Sequence, residues 1–215
     1  MIDEENIYFD SDKNAFFKNS DNLVSGSVHF WHEPDDYGEI KAKKVTEYVD
    51  GKKNGLDIHY SKEGQVLLTC HFKNNLLHGP IRINHPNGRP KCITKYLNHK
   101  KDGEYVEFNI YGEIIHESSF KNGNRHGEFK NFNDQGQLLV HMFFNEGEKH
   151  GQCKEYDNEG NLELDCSFKN GKHHGNYKEY IKGHLIKEIV YDNGNPTKTT
   201  IYTEKGKITY PPEKN

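Results

Sequence analysis

Glycine recurs every 24 residues through the middle of this chain, at Gly55, Gly79, Gly103, Gly127, Gly151 and Gly175. A second series, Gly64, Gly88, Gly112, Gly136 and Gly160, keeps the same spacing, and so does an aromatic series, Tyr48, Phe72, Tyr96, Phe120, Phe144 and Phe168. A fixed period in this range means that each copy is one supersecondary unit stacked on its neighbours. The best-preserved copy, FKNGNRHGEFKNFNDQGQLLVHMF, starts at Phe120, and the next, FNEGEKHGQCKEYDNEGNLELDCS, at Phe144. A divergent copy with a longer middle runs from Gly26 through Trp31 and Gly38 to Tyr48. Fragments flank the array at Phe17-Lys18-Asn19 and from Tyr191-Asp192-Asn193-Gly194 through Gly206 and Tyr210.

Each copy carries two turn signals. Asn-Gly, as at Asn122-Gly123, Asn170-Gly171 and Asn193-Gly194, supplies the positive φ that both central residues of a type I′ hairpin turn need. The other signal is x-x-Gly, as in Asn158-Glu159-Gly160, which fits a three-residue loop: a type I turn followed by a left-handed glycine. Between turns the sequence alternates. Leu162, Leu164, Cys166 and Phe168 share one face, Glu163, Asp165 and Ser167 the other, and period 2 marks a half-buried strand.

The first strand of a copy has an aromatic residue five positions after its glycine: Tyr60, Phe108, Phe132, Tyr156 and Tyr180, with Asn84 the exception. A three-residue loop sets these opposite the next strand's first apolar residue, giving Tyr60–Val66, Phe108–Ile114, Phe132–Leu138 and Tyr156–Leu162. Where the loop shortens to Lys182-Gly183, a two-residue turn preserves the pairing as Tyr180–Leu185. Tyr105, Phe129 and Tyr177 fall three residues earlier, on the opposite face of a regular strand. Either a β-bulge at each His-Gly step or a longer turn reconciles the two sets, and an in-strand glycine often marks a bulge.

The fold expected is therefore all-β: a single-layer antiparallel meander of tandem 24-residue β-hairpins, elongated or curved. Residues 1–25 form an N-terminal cap with a partial repeat, 26–197 the tandem hairpins, and 198–215 a C-terminal partial repeat and tail. Composition agrees. Only 32% of residues are hydrophobic, yet 12% are aromatic, which is too lean for a thick core and too aromatic for disorder.

The function expected is non-catalytic binding. Neither a nucleophile elbow, a phosphate-cradling loop nor a usual zinc spacing is present, and the carboxylates sit at repeat-equivalent surface positions with no pair breaking the pattern. His78, His126, His150 and His174 precede the period glycine, but equivalent positions two strands apart are separated by roughly 9.5 Å, too far to share a metal. Asn54 and Asp102 occupy the same slot, so a turn role fits better. No cofactor, metal or catalytic residue is assigned; an enzymatic reading would look only to the insertion Pro34-Asp35-Asp36-Tyr37 and nearby His32. Cys70, Cys92, Cys153 and Cys166 read as reduced thiols in strands, and the chain as cytoplasmic. A formal net charge of −4 gives nucleic acid and anionic lipid no general attraction. A single-layer sheet leaves aromatics partly exposed, and exposed aromatics serve protein contacts. Trp31, Tyr60, Phe108, Phe132, Tyr156 and Tyr180 are the candidate partner-binding residues. Free sheet edges leave homodimerisation open.

The pattern F-K-N-G-x-x-H-G, then an aromatic, x-x-G and an alternating strand, resembles MORN (membrane occupation and recognition nexus) repeats over residues 26–197, in the variant form found in bacterial proteins. It is also similar to the YwqK-type group, named as antitoxins. The resemblance implies a repeat scaffold whose partner is another protein, such as a toxin. The chain lacks the repeated Tyr-x-Gly-x-Trp core of the ordinary pattern, with Trp31 its only tryptophan, which points away from phospholipid association.

Overall fold

The computed structural model describes residues 1–34, 36 and 38–210. Its regular structure is strand, nearly all antiparallel, apart from a 3-10 turn at Glu4–Asn6, and it divides into two compact units, residues 1–112 and 113–215.

Within the second unit every strand from Ile114–Lys121 to Gly206–Tyr210 pairs antiparallel with the next in sequence. The tight turns are those the Asn-Gly steps predict. Asn122 and Gly123 have φ of 51° and 90°, Asn170 and Gly171 of 51° and 76°, and Lys121 pairs with Asn124 across a two-residue loop. Two of the other ends are three-residue loops, as where Gly136 N donates to Asn133 O (3.0 Å) and Asn133 N to Gln137 O (2.9 Å), while Ile181 pairs with His184 across the shortened Lys182-Gly183 turn. The Asn133 side chain helps, its Oδ1 accepting from the backbone N–H of Gln135 and Gln137, as Asp157 does for Glu159 and Asn161. Four of the expected cross-strand pairs are present: Tyr60–Val66, Phe132–Leu138, Tyr156–Leu162 and Tyr180–Leu185. Phe108 and Ile114 fall in different units.

The His-Gly step is a bulge rather than a longer turn. Met142 pairs with Cys153 and Phe144 with Lys149, so His150-Gly151-Gln152 stand opposite Phe143 alone. The same three-against-one step recurs around Gly55, Gly103, Gly127 and Gly175. Each of these glycines has positive φ, Gly151 at 89°, and a Cβ there would lie 3.7 Å from Phe143 Cβ. A second irregularity, absent from the sequence expectation, lies at the other end of each hairpin. Asn131 pairs with Val140 but Phe132 with Leu138, leaving Leu139 as an extra residue. Like steps occur at Trp31, Tyr60, Tyr156 and Tyr180. It is this shift that reconciles Phe129 with Phe132.

The core is a column of cross-strand neighbours, one residue per strand. In the second unit it runs Ser118, Phe129, Met142, Cys153, Cys166, Tyr177 and Ile189. Met142, Cys153 and Cys166 are its buried centre, packed on by Phe129, Val140, Phe144, Leu164, Phe168 and Tyr177. In the first unit the corresponding column includes Thr46, Asp57 and Cys70 and, one hairpin on, Ile81, Thr94 and Tyr105. The N-terminal segment closes this unit. Ile7, Ala15 and Val24 pack on Val28 and Tyr48 of the first hairpin, and Ile2–Asp3 pairs parallel with Gly26–Trp31, the one parallel pairing among the described strands.

Candidate functional site

The six aromatics read from the sequence are all half-buried, and neither packed cluster among the described residues includes any of them. Five sit at the one-residue register shift, where each hairpin approaches its outer turn. In the second unit Phe132, Tyr156 and Tyr180 are set against Leu138, Leu162 and Leu185, an aromatic–aliphatic rung repeated on alternate strands. In the first unit Trp31 is fixed more tightly. Its indole N–H donates to Asp3 Oδ1 (3.2 Å), its backbone N–H donates to Glu4 Oε1 (3.1 Å), and its ring stacks on His29 at 5.7 Å. The carbonyls of Tyr60 and Phe108 each lie against a histidine Nε2, of His32 at 3.3 Å and His85 at 3.0 Å.

Two of the histidines before the period glycines, His78 and His174, reach neighbouring turns. His78 Nδ1 is 3.2 Å from Asn98 Oδ1, and His174 Nδ1 is 3.5 Å from Asp192 Oδ1. Of the insertion considered for an enzymatic reading, Asp35 and Tyr37 lie outside the described residues.

A second feature was missed in the sequence. The column slot of Asp57 holds Ile81, Tyr105, Phe129, Cys153 and Tyr177 in the other copies, so an acid has replaced an apolar or aromatic residue. The Asp57 side chain is only 2% exposed. Lys53 Nζ donates to its Oδ2 (3.1 Å), Thr46 Oγ1 donates to Oδ1 (3.3 Å), and His59 Nε2 lies 3.0 Å from Oδ1. Burial pushes this carboxyl up, but the His59 contact and the Lys53 charge outweigh burial and hold it below its ordinary value. A buried carboxylate stays ionised only with such partners. The signal was in the sequence: reading the 24-residue columns for charge singles Asp57 out.

The slot of Lys53 is itself periodic, as Lys53, Lys101, Arg125 and Lys149. Each lies over an aromatic ring: Lys53 over Phe72 at 4.7 Å, Lys101 over Tyr105 at 4.3 Å, Arg125 over Phe129 at 5.0 Å, Lys149 over Phe168 at 4.9 Å. His173 fills the slot once more and packs on Phe168 at 4.3 Å. Cation–aromatic contacts of this kind are worth roughly 0.5–1 kcal/mol where exposed. They lay the methylene stems of the cations over the core column, which a one-layer sheet leaves otherwise thinly covered.

Between Lys53 and Lys101 the first unit is hollow. Where the second unit has Phe129 and Met142, the first has Asp57, Cys70, Ile81 and Thr94, and a depression of about 530 Å³ opens over them. Cys70 at its floor is an inert thiol, pushed up to about 11 by burial and the Asp57 charge.

Stacked hairpins with a one-residue-deep core and a repeated half-exposed aromatic rung define a repeat scaffold. Residues 125–146 and 149–170 match the family model of the MORN repeat variant. Each matched span begins within a bulged strand, crosses a three-residue loop and ends at or just beyond the following strand. No curated protein matches the chain.

Proposed function

We propose that this chain is a non-catalytic protein-binding scaffold, acting in the cytoplasm to mask a partner protein in the manner of an antitoxin or immunity protein. The observation that supports this reading most is the rung series of the second unit. Phe132, Tyr156 and Tyr180 repeat on alternate strands, each paired with a leucine and none buried. Alternate strands lie roughly 9.5 Å apart, so three rungs span a patch on the scale of a protein contact. Aromatic anchors supply large contact area at small entropic cost.

The test is capture from the native lysate on the immobilised full chain, beside a Phe132→Ala/Tyr156→Ala variant shown to be folded by its far-ultraviolet spectrum and melting temperature. A stoichiometric protein retained by the wild type and lost by the variant supports the reading. A folded bait that retains nothing stoichiometric overturns it. Sedimentation with anionic vesicles at low salt, without a protein partner, replaces it with a membrane-surface scaffold. Among the described residues no helix is long and apolar enough to cross a membrane.

A further inference from the structure

We infer that the hollow of the first unit is a binding site for a small, flat organic dianion, its negative groups at opposite ends of an apolar aromatic body. The volume, about 530 Å³, falls in the range of small-molecule sites, which join apolar walls to a few placed polar groups. Leu68, Ile81 and Ile83 give it apolar walls. A lysine stands on each outermost strand of the lining. Lys53 and Lys101 occupy the same slot of copies two repeats apart, their strands separated by four strand spacings, roughly 19 Å at the backbone. Both nevertheless line the one hollow.

The lysines of the lining outnumber its carboxylates. Three lysines, Lys53, Lys91 and Lys101, face two carboxylates, Asp57 and Glu107, in a chain whose net charge is −4. Both carboxylates are engaged: Asp57 by Lys53, His59 and Thr46, Glu107 by the Tyr105 hydroxyl, which donates to Oε2 at 3.0 Å. Asp57 does not present a free acid to a ligand. It fixes Lys53 and His59 at the rim. The second unit supplies an internal comparison. Lys149 keeps the cation of the slot, over Phe168, but the column beside it is filled by Phe129, Met142 and Tyr177.

Titration calorimetry on the full chain with 4,4′-biphenyldicarboxylate, 4-biphenylcarboxylate and neutral 4,4′-biphenyldimethanol tests this assignment. The dianion is expected to bind at least about fivefold tighter than the monoanion, a charge-assisted contact in a partly desolvated site, and the neutral compound weaker still. Lys101→Met lowers dianion affinity to that of the monoanion, and so does Lys53→Met. Lys149→Met leaves it unchanged. Because Lys53→Met removes a partner of buried Asp57 and can cost stability, Lys101→Met decides the matter if that variant fails to fold. Equal affinity for the three compounds, no binding at millimolar concentration, or an unaltered dianion affinity in folded Lys101→Met overturns the proposal.

Discussion

Asp57 and Cys70 are direct cross-strand partners, so a buried carboxylate and a buried thiol share the floor of the first unit. The acid is tolerated because Lys53, His59 and Thr46 converge on it. One hairpin on, the slots of Lys53, Asp57 and His59 are filled by Leu77, Ile81 and Ile83, an apolar solution to the same position. Asp57→Ala alone strands Lys53 beside the core and is expected to destabilise by about 2–3 kcal/mol. Lys53→Leu/Asp57→Ile/His59→Ile, which copies the next hairpin, is expected to return within about 1 kcal/mol of wild type. Urea denaturation of the three proteins checks both values.

The same triad predicts a pH dependence. The Asp57 carboxyl titrates below its ordinary value in the folded chain, so the folded state binds fewer protons there than the unfolded one. Its stabilisation is complete above the unfolded value of about 3.9 and is lost as pH falls through the depressed folded value. Wild type is therefore expected to lose stability relative to the apolar triple variant as pH falls below about 4. Melting temperatures from pH 5 to pH 3 report it, and an unchanged gap across that range contradicts it.

Bulge glycines carry the register. Gly151 has φ of 89°, and an alanine there is expected to cost about 1–2 kcal/mol, with the Cβ at ordinary contact distance from Phe143. The strain, not a clash, is the cause. Because stability in repeat arrays is local, the loss appears first as faster amide exchange in Leu138–Asn145 and Glu148–Tyr156, with the turns of the first unit unchanged.

The thiols are expected to be silent. All four cysteines are free and buried. Burial raises the Cys92 thiol; contact with Cys153 and burial raise that of Cys166, and the same contact lowers Cys153, which burial at 1% exposure keeps from reagent. Thiolate, not thiol, reacts. Native protein at pH 7.5 should react with Ellman's reagent far more slowly than a free thiol, and denatured protein should release all four equivalents at once.

Much of this fold was legible because turn chemistry is local. Asn122-Gly123 and Gly136 state their backbone conformations outright, and the deletion at Lys182-Gly183 fixed the Tyr180–Leu185 pairing. The one-residue shift beside Phe132 was not legible, since Leu138-Leu139 offers two apolar residues and no glycine to mark which one is extra. Cys153 and Cys166 could be placed in one unit, but their role as the buried centre depends on the bulge bringing Phe129 and Tyr177 to the same side. Asp57 was legible only in comparison between copies. Judged alone it is one carboxylate among many, and only the column Ile81, Tyr105, Phe129, Cys153 and Tyr177 shows it to be displaced from the surface.

Backbone nuclear Overhauser contacts in the isotopically labelled full chain measure the bulged 24-residue register itself. Contacts are expected to join Phe129 with Met142, Met142 with Cys153 and Cys153 with Cys166, together with Phe144 to Lys149 beyond the bulge. Contacts of Met142 with Gly151, as a regular ladder continued from the Phe144–Lys149 pair requires, would contradict it.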